Sequence, residues 1–132
     1  MGAEQEMRIM VVGKGSVCVN MMRSIRKASV EDQVLMISSG EEAVSTYRIL
    51  EPDLIFMDVI QVGMTGIESA RSIREQNRNI KIVLVSEYFN KEFLMAARRM
   101  DLNGYLVRTT DSSLLRQVVK DVEVGKFYLF MS

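Results

Sequence analysis

The 132-residue chain has no histidine and a single cysteine, Cys18. One thiol cannot form an intramolecular disulfide, so a reducing cytoplasm is the expected location. Without histidine, and with one cysteine, structural zinc sites and histidine-dependent nucleophilic triads are excluded. The chain also lacks net charge: seventeen basic residues balance seventeen acidic ones. No general attraction to nucleic acid or to an anionic membrane follows, and neither is an expected partner of this domain. There is no apolar run of about 18 residues to span a bilayer. Residues 1–7 are short and acidic, unlike a secretory signal, and form an expected N-terminal tail. No repeat, low-complexity segment or linker is visible.

What is present suits one globular domain, with 48% apolar and 26% charged residues. Apolar runs rich in β-branched residues at 8–12, 33–37, 54–57, 81–85 and 105–107 read as strands. Between them, amphipathic stretches at 17–28, 40–50, 66–77, 91–101 and 112–124 read as helices. Ser39-x-x-Glu42 and Thr65-x-x-Glu68 have the form of a capping box, and Asp111 can cap the last helix. Val17, Met21, Ile25 and Ala28 fall on one helical stripe, as do Leu115, Val118, Val119 and Val122. The strands are apolar throughout rather than alternating, so both sheet faces should be covered. Five βα units with short connections predict an α/β fold, a doubly wound, flavodoxin-like parallel sheet in the order 2-1-3-4-5. Residues 8–124 form this domain. Residues 125–132 are left as an apolar C-terminal tail, or the start of a linker to an absent output domain, which should pack on the body or on a partner. Most of the eleven methionines, and Cys18, read as core filler.

The most informative segment is Pro52-Asp53-Leu54-Ile55-Phe56-Met57-Asp58, followed by Gly63-Met64-Thr65-Gly66. A buried strand here delivers Asp58 to the carboxyl edge of the sheet, where α/β proteins keep their ligand sites. The first strand ends in Gly13-Lys14, with no acid to share a cation with Asp58. Val12-Gly13-Lys14-Gly15-Ser16 invites a nucleotide-loop reading. A Walker loop needs a Gly-Lys-Ser/Thr preceded by a glycine five residues earlier, and Gly15 interrupts the Lys-Ser pair. The dinucleotide fingerprint fails at Cys18 and at Ser38-Ser39. A loose anion at Gly13–Ser16 is the enzyme-class alternative that survives.

Taken together, these residues resemble a receiver domain of the two-component response regulators, over essentially the whole chain. The resemblance implies that Asp58 is the phosphoacceptor position, Ser86 the switch hydroxyl, Tyr105 the switch aromatic, and Arg108 the stand-in for a phosphoryl-contacting lysine. Val124-Gly125-Lys126-Phe127-Tyr128 is similar to the end of receivers that precede a LuxR-type helix-turn-helix. No such DNA-binding segment lies in these 132 residues, so the chain is either a fragment or works alone.

The departures from the family pattern are specific. Gly13 and Lys14 occupy the positions of an acidic pair that helps hold Mg²⁺. Val62 and Thr109 replace prolines, Ile60 an asparagine, and Glu87 a small residue. The ordinary pocket sums to zero with its metal, whereas Asp58, Lys14 and Arg108 already leave a positive excess before any metal arrives. The expectation is an atypical receiver, not an enzyme, whose pocket is neutralised by Lys14 turned inward. Mg²⁺-dependent phosphorylation would be lost or slow, no cofactor would be needed, and signalling would run through protein contacts. A sensor kinase is one implied partner, and the fourth helix, fifth strand and fifth helix the implied homodimer face. The alternatives are a phosphorylation-competent receiver with unusual Mg²⁺ ligation, drawing an acid from Glu87, and Lys14 simply projecting into water. In the plainest reading Gly13 is a tight turn, Ser86 and Tyr105 are strand-end residues, and Arg108 is a surface cation.

Overall fold

The computed structural model describes residues 6–60 and 65–131. Its elements run β1 (Arg8–Val12), α1 (Gly15–Ala28), β2 (Gln33–Ile37), α2 (Gly40–Leu50), β3 (Leu54–Asp58), α3 (Gly66–Gln76), β4 (Lys81–Ser86), α4 (Lys91–Arg99), β5 (Gly104–Val107), α5 (Ser112–Glu123) and β6 (Tyr128–Phe130). The strands form one sheet in the order 2-1-3-4-5-6, parallel throughout. The expected five-strand order stands, and a sixth strand extends it.

Alternation along the central strands assigns each face its helices. Ile9, Val11, Leu54, Phe56, Val83, Val85 and Leu106 pack against Met21, Met22 and Ile25 of α1 and Leu115, Val118, Val119 and Val122 of α5. Met10, Val12, Ile55, Met57, Ile82, Leu84 and Tyr105 point the other way, onto Ala43 and Tyr47 of α2, Ala70 and Ile73 of α3 and Ala97 of α4. Burial on both faces is why these strands read as continuous apolar runs.

The helix starts follow the residues marked for them. Ser39 and Thr65 accept from the amides of Glu42 and Glu68, and Asp111 accepts from those of Ser113 and Leu114. Asn90 caps α4 in the same way, bonding the Glu92 amide. On α1 the buried stripe is Cys18, Met21, Met22 and Ile25, while Val17 is exposed. The stripe thus keeps the expected Met21 and Ile25 and takes in Cys18 and Met22, while Val17 turns to solvent.

Met7 is buried, and its amide donates to Asp32 Oδ1, so the domain begins before β1. After a turn at Gly125 (φ +88°), the chain returns through a βαβ crossover and packs on the body as a strand, pairing Tyr128, Leu129 and Phe130 with Gly104, Tyr105 and Leu106. β5 is therefore not a free edge. The expected contact face of α4, β5 and α5 carries β6 across it.

Candidate functional site

β1, β3, β4 and β5 end side by side, and their register places Val12 beside Met57, Asp58 beside Val85, and Ser86 beside Val107. Asp58 is the last residue of β3 and is buried at 6% exposure. Its backbone is held close by α3. A Cβ on Gly66 would lie 2.7 Å from the Asp58 carbonyl carbon and equally near Val59 Cα, so only glycine permits this helix to start here.

Both carboxylate oxygens are engaged. Oδ1 accepts from the Ile60 amide at 2.9 Å. Oδ2 accepts from Arg108 Nη2 at 2.6 Å, an ion pair whose side chains are 8% and 15% exposed. The same oxygen accepts from the Cys18 thiol at 3.4 Å. Burial first, and then the charge of Asp58, push the thiol up to about 11. Cys18 is thus a neutral donor at physiological pH, not a nucleophile.

The cation on Asp58 is Arg108, and the expected Lys14 pairing is overturned. Lys14 is exposed, and no ion pair joins it to Asp58 among the described residues. It stands at the N-cap of α1, with extended backbone. Arg108 directly follows β5, its amide bonded to the Ser86 carbonyl at the end of β4, and its side chain reaches across β4 to Asp58 at the end of β3. A planar guanidinium also matches a carboxylate edge better than an ammonium does.

Gly13 is more than a turn residue. A Cβ there would lie 2.7 Å from Cys18 Sγ and 3.3 Å from Asp58 Cβ. The thiol therefore fills the volume that a side chain at position 13 would need. Behind it remains a cavity of only about 10 Å³, lined by Val11, Cys18, Phe56, Asp58, Val85 and Arg108 among others. That is at most one water.

Ser86 and Tyr105 meet each other. Ser86 Oγ lies 2.6 Å from Tyr105 Oη and donates to the Tyr88 carbonyl at 2.7 Å. The Asn90 amide donates to Tyr105 Oη at 2.9 Å. With the Ser86 proton on Tyr88, Tyr105 donates to Ser86. A chain of hydrogen bonds thus ties the β4–α4 loop to β5. Tyr105 is fully buried, with Phe89 and Phe93 against its ring. Glu87 is exposed on that loop. Val62, Gly63 and Met64 of the turn after β3 lie outside the described residues.

The family described as the response regulator receiver domain matches residues 9–120. This chain belongs to that family. The receiver is 28% identical over 82 residues to response regulator protein VraR of Staphylococcus saprophyticus, and 26% identical over 89 residues to VraR of Staphylococcus aureus. Those matches take in 62% and 67% of the receiver but 39% and 43% of the relatives, so it spans well under half the length of the curated relatives it matches. Among solved structures, a LuxR-family two-component response regulator from Aurantimonas superposes with a TM-score of 0.84 at 26% identity, covering 94% of the receiver and 89% of that chain. The chemotaxis protein CheY4 of Vibrio cholerae, at 20% identity and a TM-score of 0.75, covers 89% of the receiver and 99% of that chain and shares the fold.

Sequence reasoning missed one pocket residue, Cys18. The signal was available: the two small residues at 13 and 15 begin a helix whose first inward position is 18. Read only as core filler, Cys18 was not linked to Asp58. The Mg²⁺ that such receivers imply does not suit the residues present. Asp58 is the only carboxylate among the side chains placed in this pocket, and its Oδ2 is taken by a guanidinium. A neutral thiol is a poor ligand for so hard a cation. No group of three potential metal-binding side chains occurs among the described residues.

Proposed function

We propose that this receiver is atypical: a protein-contact module whose phosphoacceptor position, Asp58, is held shut by Arg108. The ion pair at 2.6 Å carries the reading. Phosphoryl transfer to a carboxylate needs a free oxygen and positive charge that can bridge acceptor and donor oxygens. Arg108 supplies charge, but it occupies the oxygen, and a guanidinium cannot take up and give back oxygen ligands as a divalent ion does. Gly13 offers no ligand, Lys14 adds a second positive charge at the rim, and Cys18 fills the remaining space. Input to the domain is then the binding of a partner protein, a sensor kinase among the candidates. The setting is cytoplasmic, with no enzymatic activity of its own. The LuxR-family neighbour supports control of transcription as the output these contacts serve.

The test is intact mass after incubation with acetyl phosphate and Mg²⁺. The expected spectrum is unchanged. A stoichiometric phosphoryl adduct that disappears in Asp58→Asn overturns the proposal, and reinstates a competent acceptor.

A further inference from the structure

At the sheet edge opposite Asp58, the end of α1 and the second half of α5 border a cavity of about 330 Å³. It shares no lining residue with the small cavity behind Asp58. Met7, Ala28 and Val119 make part of its wall apolar, and its volume suits a small molecule. One polar side chain is set among them. Ser29 is only 9% exposed and lines the cavity, yet its hydroxyl has no hydrogen-bond partner among the described residues. The oxygen is not sealed in, so solvent or a ligand can reach it. A buried hydroxyl without a protein partner is costly unless one of these satisfies it.

The two walls carry opposite charge. α5 contributes Arg116 and Lys120, one turn apart on one face, with Glu123 beyond them. Across the cavity Lys27 is followed by Glu31 and Asp32, and the carbonyls that end α1 add their partial negative charge. Three cations and three anions thus line one cavity, and among the described residues no ion pair joins any two of them. A simple anion would gain from the α5 wall and be repelled by the other, and a simple cation the reverse. A molecule carrying both charges a short distance apart gains from both walls.

We propose that this cavity binds a small zwitterion, an α-amino acid with an apolar side chain. Its carboxylate lies against Arg116 and Lys120, and its ammonium against Glu31 and the end of α1, where the Ser29 hydroxyl accepts from it. Its side chain rests on Met7, Ala28 and Val119. Such a site gives the domain an input that needs neither Mg²⁺ nor a phosphoryl donor, and it does not depend on the state of Asp58. Amide chemical shifts of the full chain, titrated with L-leucine at about pH 6.5, where both leucine termini are charged, test it. Two analogues run beside it: 4-methylpentanoate lacks the ammonium, and L-leucinamide lacks the carboxylate. Leucine should shift the amides of 27–32 and 116–123 saturably, and each analogue should bind at least about tenfold more weakly. Arg116→Gln/Lys120→Gln should weaken leucine by about tenfold or more, and Ser29→Ala should weaken it to a smaller extent. Absence of saturable shifts up to about 50 mM leucine overturns the proposal. Equal binding of 4-methylpentanoate overturns it too, because the site would then be an adventitious patch for anions. The analogue series uses the native chain alone, so it decides even where a variant fails to fold.

Discussion

At the scale of single residues, the pocket is defined by who touches Asp58 Oδ2. Arg108 and Cys18 share that oxygen, and Gly13 is the vacancy that lets the thiol reach it. Restoring an acid at position 13 is therefore not a simple reversal. Gly13→Asp drives a Cβ into Cys18 Sγ, an overpacking that should cost about 1–3 kcal/mol in urea denaturation. Adding Cys18→Ala should recover most of that loss, and adding Lys14→Asp should then produce Mg²⁺ binding measurable by titration calorimetry, most clearly with Arg108→Lys. If Gly13→Asp alone is as stable as the native chain, the steric account of Cys18 is wrong. The thiol also predicts a pH dependence. Its ionisation in the folded chain is raised to about 11, above the ordinary cysteine value. A group raised on folding stabilises fully below its unfolded pKa, and that contribution is lost as pH climbs through the folded one. Stability should thus fall between about pH 9 and pH 11 by an amount on the order of 3 kcal/mol, and this step should vanish in Cys18→Ala.

At the scale of elements, the site depends on two junctions rather than on any one strand. The first is β3 to α3, where Gly66 touches the backbone of Asp58 and Val59. Gly66→Ala would ordinarily help a helix, yet here it must push Asp58 itself out of register. A loss of at least about 2 kcal/mol is expected, with the Asp58–Arg108 pair disturbed, and denaturation with amide chemical shifts would reveal both. The second junction is β4 to α4, where Tyr105 Oη accepts the Asn90 amide and meets Ser86. Tyr105→Phe deletes that acceptor inside a buried chain of bonds, for an expected cost of about 1–3 kcal/mol. Hydrogen exchange should then quicken at 87–90 and leave β3 unchanged. A third connection, Arg74, is of a different kind. It is 4% exposed, and its guanidinium donates to the carbonyls of Asn77 and Ile80 and to Asn103 Oδ1, bracing α3 against the starts of β4 and β5. Burial lowers its pKa, and its removal takes the buried donor from the Ile80 carbonyl, while Asn103 Oδ1 keeps the Ile82 amide.

At the scale of the whole molecule, period and capping made the architecture readable before any coordinates. Strands buried on both faces announce themselves as apolar runs, and Ser39, Thr65 and Asp111 mark helix starts by short-range chemistry alone. The sixth strand was hidden because three half-buried residues carry too little pattern, and its partner is chosen by tertiary contact, not by local propensity. In the pocket, Asp58 was legible from its strand. The choice between Lys14 and Arg108 was not, because it depends on where two backbones point in space, which one sequence does not encode locally. Cys18 was legible as a core residue, but its contact with Asp58 was not, because that contact joins residues 40 positions apart. These points converge on how the domain as a body should answer its customary ligands. A receiver that took up Mg²⁺ and the phosphoryl mimic beryllofluoride at a hundred times their dissociation constants would gain about 2.7 kcal/mol. In a domain of this size that is a rise in melting temperature of about 5–15 °C, far above the error of a thermal melt. With Oδ2 held by Arg108 and no second carboxylate placed in the pocket among the described residues, the native chain should show no such rise. The Gly13→Asp/Lys14→Asp/Cys18→Ala/Arg108→Lys variant should show one. A rise in the native protein that Asp58→Asn abolishes would mean that the ion pair yields to ligand, and that Arg108 is a gate rather than a lock.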